Sequence, residues 1–300
     1  ILTTKYTSDL ANNVEGINQV FIHPNDTKKL KNKYNLIIDP HFSPYLRYIK
    51  YAFLSFSLKG HFRLGYNIGI KAIFYNIRAK ITHAKRYEVE RNLDLIRSIG
   101  ITRNSQEYLF KKNTSAQNKV QKFLKEHNIN SDDLIVGCHI GAYNGQANRC
   151  WPEKNFANLA DLLWDKLKIK TIFTGSSSEK HKIELIQNHL KNNAIFAVDE
   201  LNTIELKELM KYFNAFVSSF TGPLFLAEAV GCPAVILNGP TPLWRWEPQK
   251  IKHTIVQSNL DCVPCNDSDV CYRGDNACMT KIKVENVFDE IQKLLIKNIK

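Results

Sequence analysis

Short apolar runs alternate with helix-period segments along almost the whole chain. Residues 35–39 (NLIID) and 134–138 (LIVGC) are typical of buried strands, whereas residues 83–100 have the apolar spacing of an amphipathic helix. Strands that alternate with helices usually form parallel sheets covered by helices on both faces. The pattern therefore predicts an α/β fold with parallel sheets.

The alternation runs in two series, separated by a polar stretch near residues 126–133. A chain of 300 residues is long enough for about two domains. We therefore expect an N-terminal domain over residues 1–127 and a C-terminal domain over residues 128–300, the second ending in a helix.

The composition excludes several classes of protein. Hydrophobic residues make up 44% of the chain and charged residues 23%, which excludes disordered, collagen-like and coiled-coil chains. No apolar run approaches the roughly 18 residues that a membrane-spanning helix needs. No signal peptide is visible at the N-terminus, so we expect a cytoplasmic protein with reduced cysteines.

The chain is basic, with 41 Lys and Arg against 29 Asp and Glu. This excess favours anionic partners, such as nucleic acid, an anionic membrane or a phosphorylated substrate, and it also fits a solvated basic surface. No nucleic-acid recognition module is visible, so we expect no nucleic-acid partner. The aromatic and basic segment 45–58 suits either peripheral docking to the inner membrane or an ordinary, partly buried helix.

Three loops that follow predicted strands have residues suited to a nucleotide diphosphate. Ligands of parallel α/β domains bind beyond the carboxyl ends of the strands, where helix N-termini offer backbone N–H groups to anions. Taken alone, the first two loops are also explained by a solvent loop with a surface Arg and by an N-capped helix with an early Glu. The candidate binding residues in the three loops are Gly141 and Arg149, Gly175 and Glu179, and Thr221, Gly222 and Pro223.

Four of the seven cysteines lie close together near the C-terminus, at Cys262, Cys265, Cys271 and Cys278. Four thiolates in a short loop can form a tetrahedral site for zinc or iron. The spacing is not the paired motif of a zinc ribbon, so four unliganded thiols remain the alternative.

The ordered set of motifs resembles glycosyltransferase family 9, the heptosyltransferases. The resemblance rests on GCHIGAYNGQANRCWPEKNFANLADLL, TIFTGSSSEK, LNTIELKELM, VSSFTGPLFLAEAVGCPAVILNGPTPLWRWEP and the late cysteines, together with KYNLIID, HFRLGY and HAKRYEVERNLDLIRSIGI in the first half. It covers nearly the whole chain.

The resemblance implies a GT-B fold, in which two Rossmann-like domains face each other across a cleft. It implies an inverting transfer, without a catalytic metal, of heptose from ADP-heptose or a related nucleotide-diphosphate sugar to an anionic lipopolysaccharide-core or protein acceptor. Arg149 matches a phosphate-binding Lys, Glu179 an acidic residue that reaches the nucleoside, and Thr221 and Gly222 the diphosphate contacts. Autotransporter-modifying relatives have an iron-binding cysteine finger, which implies a structural zinc or iron in the loop 262–278.

The sequence departs from the family pattern at two places. Phe220 and Phe225 replace an Asp and a His of the family's D-T-G-P-x-H motif, which predicts a changed donor or weak activity. The chain also begins where the family's second strand would be, so we expect the first strand, with the loop that carries the family's catalytic Asp, to be missing. The alternative is a degenerate, non-catalytic protein that binds a sugar nucleotide.

Asp39 is then the candidate catalytic base. It follows the strand 35–39, and an inverting displacement needs a carboxylate that accepts the proton of the acceptor hydroxyl. A turn-forming Asp before Pro40 is the alternative explanation.

Overall fold

The computed structural model describes residues 1–42, 48–81, 83, 85–102, 107–142, 147–265 and 270–296. The chain divides into two units, Ile1–Lys111 and Lys112–Lys300. Among the described residues, all pairings between strands of two or more residues are parallel, so the predicted α/β class is confirmed.

The first unit contains two small sheets, one of two strands and one of three. Its elements are β1 (Leu2–Thr3), α1 (Ser8–Asn12), β2 (Phe21–Ile22), β3 (Leu36–Ile38), α2 (Ile49–Ser57), β4 (Phe62–Tyr66), β5 (Ile77–Ala79) and α3 (Glu88–Arg97). The larger sheet has the order β3-β4-β5, and its core packs Leu64, Tyr66 and Ala79 against Leu95 of α3.

One apolar run of the first unit does not form the strand that its sequence predicts. Residues 72–75 read as a strand, but the structure has a 3-10 helix over Ile70–Phe74. Gly69, at φ +56°, turns the chain out of the extended conformation, and Lys71 and Ala72 then become buried beside the sheet. The next strand, β5, begins only at Ile77.

The second unit contains one six-stranded parallel sheet in the order β8-β7-β6-β9-β10-β11. Its strands are β6 (Ile135–His139), β7 (Lys170–Gly175), β8 (Ile195–Val198), β9 (Ala215–Ser219), β10 (Ala234–Asn238) and β11 (His253–Gln257). Its helices are α4 (Thr114–Glu126), α5 (Glu153–Leu167), α6 (Lys180–His189), α7 (Thr203–Leu209), α8 (Gly222–Val230), α9 (Leu243–Trp246), α10 (Ala277–Thr280) and α11 (Val284–Ile296). Numbered from β6, this is the strand order of a Rossmann fold.

Gly137 lets β6 pack closely at the centre of this sheet. A Cβ atom at Gly137 would lie 2.2 Å from Cε2 of Phe213, so a side chain cannot be added without displacing the ring. The bare backbone therefore allows Phe213, which is buried, to cover the middle of the sheet.

The helix α4 lies in the second unit, whereas the sequence placed residues up to 127 in the N-terminal domain. It packs on α7, where Lys119 Nζ lies 2.9 Å from Glu205 Oε2. Val120 and Phe123 are buried, as expected for the apolar face of a docked helix. These contacts move the division to Lys111 and Lys112.

Within the described ranges, no helix is long and apolar enough to cross a membrane.

Candidate active site

The candidate binding loops leave the second sheet at the carboxyl ends of β6, β7 and β9. In the strand order given above, β6 and β9 are neighbours whose connections run to opposite sides of the sheet. Such a point opens a crevice in which parallel α/β domains bind ligands. The loops after β6, β7 and β9 are called the carboxyl rim below.

Gly141 brings the first two loops of the carboxyl rim together. A Cβ atom at Gly141 would lie 2.6 Å from Glu179 Oε1 and 2.9 Å from His139 Nε2. The Glu179 carboxylate is thus held against the backbone of the loop after β6. At Gly175, by contrast, a Cβ atom would make only ordinary contacts, the nearest at 3.5 Å.

Glu179 also caps the helical segment that follows β7. Its Oε2 accepts hydrogen bonds from the backbone N–H of Ser176, at 2.7 Å, and from the Ser176 hydroxyl. This capping box is the structural role that the sequence left open for Glu179. Both capping hydrogen bonds are accepted by Oε2, while Oε1 is the oxygen that faces Gly141.

His139, the last residue of β6, is a polar group of the carboxyl rim that the sequence analysis did not single out. Its Nδ1 lies 3.2 Å from the Thr174 hydroxyl of the neighbouring strand. Desolvation lowers the pKa of His139 to about 4, so the ring is neutral near pH 7. A polar residue at the end of a predicted central strand is the sequence signal that could have indicated His139 as a site residue.

Thr221, Gly222 and Pro223 form the start of α8 on the other side of the crevice. Thr221 is the extended N-cap residue, and its hydroxyl lies 3.2 Å from the Ser218 hydroxyl. Gly222 is exposed, and a Cβ atom there would meet nothing within 4 Å. The helix therefore presents its first turn to open space, which suits a phosphate group.

Arg149 ends a 3-10 helix over Ala147–Arg149 that returns from the loop after β6. Two residues later, the buried Trp151 donates its Nε1–H to the carbonyl oxygen of Ile282, at 3.0 Å. This anchor fixes the chain directly beside Arg149.

Phe220 and Phe225 differ in their surroundings. Phe220 is only 7% exposed and packs with Leu224 and Ile236 in an apolar cluster. Phe225 is partly buried, with its ring 6.1 Å from that of Trp246. The ring of Phe220 thus belongs to the hydrophobic core below the carboxyl rim.

The four late cysteines are free thiols in the structure, with Cys278 buried and the other three half-buried. Among the described residues, no group of three or more His, Cys, Asp and Glu side chains is arranged to hold a metal ion. Backbone N–H groups, that of Asn276 first, lower the pKa of Cys271. Burial raises the pKa of Cys278, and the charges of Cys271, Cys265 and Cys262 raise it further, so the sulfurs interact.

The segment with the four late cysteines, residues 262–278, is called the cysteine segment below. It contacts the carboxyl rim through α10. This helix contains Cys278 and packs against the 3-10 helix that ends at Arg149. A Cβ atom at Gly239, just after β10, would lie 3.0 Å from Cys278 Sγ. The last cysteine is therefore held tightly at the end of the sheet.

Asp39 lies in the first unit, at the carboxyl end of β3, and is buried. Its Oδ1 accepts from the backbone N–H of His41, at 3.0 Å, and lies 2.5 Å from His41 Nδ1. Its Oδ2 accepts from the Tyr75 hydroxyl at 2.5 Å. Burial alone would raise the pKa of Asp39, but the hydrogen bonds from His41 and Tyr75 outweigh it and hold that pKa below its usual value.

A family model for glycosyltransferase family 9 (heptosyltransferase) matches residues 27–273. The chain belongs to glycosyltransferase family 9. A relative in this family, lipooligosaccharide heptosyltransferase 2 of Haemophilus influenzae, is 26% identical over 184 residues. That match covers 59% of this family 9 chain and 52% of the relative, so the chain spans about half the length of the curated relative it matches.

Three solved structures share the fold. The family 9 glycosyl transferase of Veillonella parvula has a TM-score of 0.80 at 17% identity, and the match covers 99% of this chain and 87% of that protein. ADP-heptose lipopolysaccharide heptosyltransferase II of E. coli has a TM-score of 0.75 at 18% identity, covering 100% and 89%. The iron-containing dodecameric glycosyltransferase TibC of enterotoxigenic E. coli has a TM-score of 0.51 at 15% identity, covering 80% and 59%. These likenesses confirm the predicted GT-B fold.

The structure brings together some of the residues predicted for this family 9 chain. Gly141 and Glu179 are in contact, and Thr221, Gly222 and Pro223 form one helix start. Asp39 belongs to the other unit.

Proposed function

We propose that this protein transfers a sugar, heptose or a related one, from a nucleotide-diphosphate sugar to a lipopolysaccharide-core or protein acceptor. The observation that carries the proposal is the switch in strand order between β6 and β9, beside the exposed start of α8 in a family 9 chain. A curated relative is named a lipooligosaccharide heptosyltransferase, and a solved neighbour an ADP-heptose heptosyltransferase. ADP-heptose is therefore the first donor to test.

In this proposal the diphosphate binds at the start of α8. The backbone N–H groups around Thr221 and Gly222 and the positive end of the helix dipole attract the anion, and Pro223 fixes the first turn. Arg149 adds a charge-assisted contact. Gly141, Gly175 and Glu179 are assigned to the nucleoside, with Oε1 of Glu179 as the acceptor for ribose hydroxyls.

The proposed reaction is a single displacement with inversion at the anomeric carbon. The leaving diphosphate gains negative charge, which Arg149 and the N–H groups of α8 stabilise, so the reaction needs no catalytic metal. The proton of the acceptor hydroxyl passes to a base, for which the carboxylate of Asp39 is the candidate from the sequence.

A structural metal in the loop 262–278 is part of the proposal. Four sulfur donors suit zinc or iron, and the N–H groups that lower the pKa of Cys271 favour the thiolate that such a metal binds. The solved neighbour TibC is described as iron-containing. Cys262, Cys265, Cys271 and Cys278 would hold the metal, which would tie the loop together and take no part in the transfer.

Peripheral contact with an anionic membrane, on its cytoplasmic side, is proposed for the surface around α2. Phe53 and Phe56 are 55% and 50% exposed, and both rings lie 5.9 Å from that of Phe74. Arg63 lies over the ring of Phe56, at 5.4 Å, which places a cation beside exposed aromatic rings. This combination suits a surface rich in acidic lipid. Flotation with vesicles of acidic lipid is expected for the wild type, and equal flotation of a Phe53→Ser, Phe56→Ser protein would contradict the assignment.

The transferase proposal is tested by incubating the protein with ADP-, UDP- and GDP-sugars and a phosphorylated lipid acceptor, with products identified by mass spectrometry. Transfer from ADP-heptose supports the heptosyl assignment, and transfer from another donor moves it to that sugar. Nucleotide binding without transfer would support the non-catalytic alternative. If the protein binds none of these donors and transfers no sugar from them, the proposal is contradicted.

A further inference from the structure

His41 is held by Asp39 in the orientation of a general base. Its Nδ1 lies 2.5 Å from Asp39 Oδ1. Because an ionised carboxylate only accepts hydrogen bonds, Nδ1 must be the donor, and the neutral ring then has its lone pair on Nε2. Among the described residues, no hydrogen bond involves Nε2.

The ring is fixed on its face as well as at its edge. It stacks on the ring of Tyr51, with centroids 4.0 Å apart and planes 3° from parallel, and it also contacts Tyr48. The buried ammonium of Lys71 donates a hydrogen bond to the carbonyl oxygen of His41. These contacts hold the imidazole in place without involving Nε2.

Exposure separates the roles of the two side chains. The side chain of Asp39 is 4% exposed and that of His41 is 37% exposed. Both oxygens of Asp39 already accept hydrogen bonds, and its lowered pKa makes it a weak proton acceptor. The buried carboxylate is therefore suited to orient the ring, and the more exposed ring is suited to meet a substrate.

We propose that His41 is a catalytic residue, which accepts the proton of the acceptor hydroxyl at Nε2, and that Asp39 is its positioning residue. The inference rests on the proposed transferase function. In the step, the acceptor oxygen forms a bond to the anomeric carbon, and the bond from that carbon to the diphosphate oxygen breaks with its electron pair. The hydroxyl proton moves to Nε2 and later to solvent, while Asp39 balances the charge of the imidazolium.

The charged and titratable groups that face His41 are Asp39 from the end of β3, Lys71 from the 3-10 helix, and Tyr48 and Tyr51 from the α2 region. Within the described part of the chain these are the groups beside His41, and the hydrogen bond from Lys71 goes to the backbone carbonyl oxygen of His41.

The test compares the wild type with His41→Asn, which keeps a donor for Asp39 but has no Nε2, and with His41→Gln as a second variant. His61→Asn, at an exposed histidine of the same unit, is the matched control. We expect kcat to fall about 100- to 10,000-fold in both His41 variants. The affinity for ADP should be unchanged, and added imidazole should restore part of the rate. Asp39→Asn should lower kcat and remove the preference of the neutral His41 ring for a proton on Nδ1.

Nitrogen-15 NMR of the wild-type protein tests the same inference without any variant. The neutral His41 ring is expected to have its proton on Nδ1, and a proton on Nε2 would overturn the inference. A His41→Asn or His41→Gln protein with kcat within threefold of the wild type would also overturn it while leaving the transferase function in place. A wild type that transfers no sugar from any donor would overturn the proposed function, and this inference with it.

Discussion

At the residue scale, Phe220 occupies a position that the family pattern gives to an aspartate. The family pattern predicts that this replacement loses a polar contact to the donor sugar. In the structure its ring packs with Leu224, Ala234 and Ile236, so the aromatic residue fills a hydrophobic core. Phe225, which is less buried, is the replacement whose change would alter the surface of the molecule.

This difference predicts that Phe220→Asp destabilises the protein instead of restoring a family contact. The substitution removes a buried ring and places a carboxylate among apolar side chains, so we expect the free energy of unfolding to fall by at least ~3 kcal/mol. Phe225→His is the matched comparison and should cost less than ~1.5 kcal/mol. Urea unfolding measures both. Equal stability of Phe220→Asp and the wild type would show that the ring does not belong to the core.

At the element scale, α10 connects the cysteine segment to the 3-10 helix that ends at Arg149. We therefore predict that a metal held by the four cysteines supports nucleotide binding through this contact. Protein purified without added metal should contain about one zinc or iron per chain, and a strong chelator should lower both its melting temperature and its affinity for ADP.

The matched variants for this prediction are Cys271→Ser, in the segment, and Cys232→Ser, a buried cysteine outside it. Only the first should lose the metal, as measured by elemental analysis. Metal-free wild-type protein with undiminished stability would contradict the prediction.

The sequence predicted most elements of the second unit because its strands are short apolar runs between clear helix starts. The strand prediction for residues 72–75 was wrong because a turn at Gly69 decides their conformation, and a local apolar pattern cannot reveal that turn. The helix α4 was assigned to the wrong side of the boundary for a similar reason, since its partner α7 is far away in sequence. His139 was missed as a site residue because its partner Thr174 lies on another strand and reaches it only in the fold. The sequence places His41 two residues after Asp39, but only the fold shows that the two side chains are hydrogen-bonded.

At the scale of the whole molecule, the order of the strands places the candidate site. The three binding loops are separated by tens of residues, and nothing in their composition says that the loops after β6 and β9 leave neighbouring strands. The Rossmann order of the second unit brings them to the same rim of the sheet, where we propose one nucleotide diphosphate site.

Calorimetric titration of ADP into the wild type and into Arg149→Ala tests this proposed site. Losing a charge-assisted contact costs about 1.5–3 kcal/mol, so Kd should rise roughly 10- to 150-fold. Lys122→Ala, at a lysine of the same unit whose side chain is 75% exposed, is the control and should bind as the wild type does. Equal affinity of Arg149→Ala and the wild type for ADP, and for every other nucleoside diphosphate tested, would show that no diphosphate binds beside Arg149.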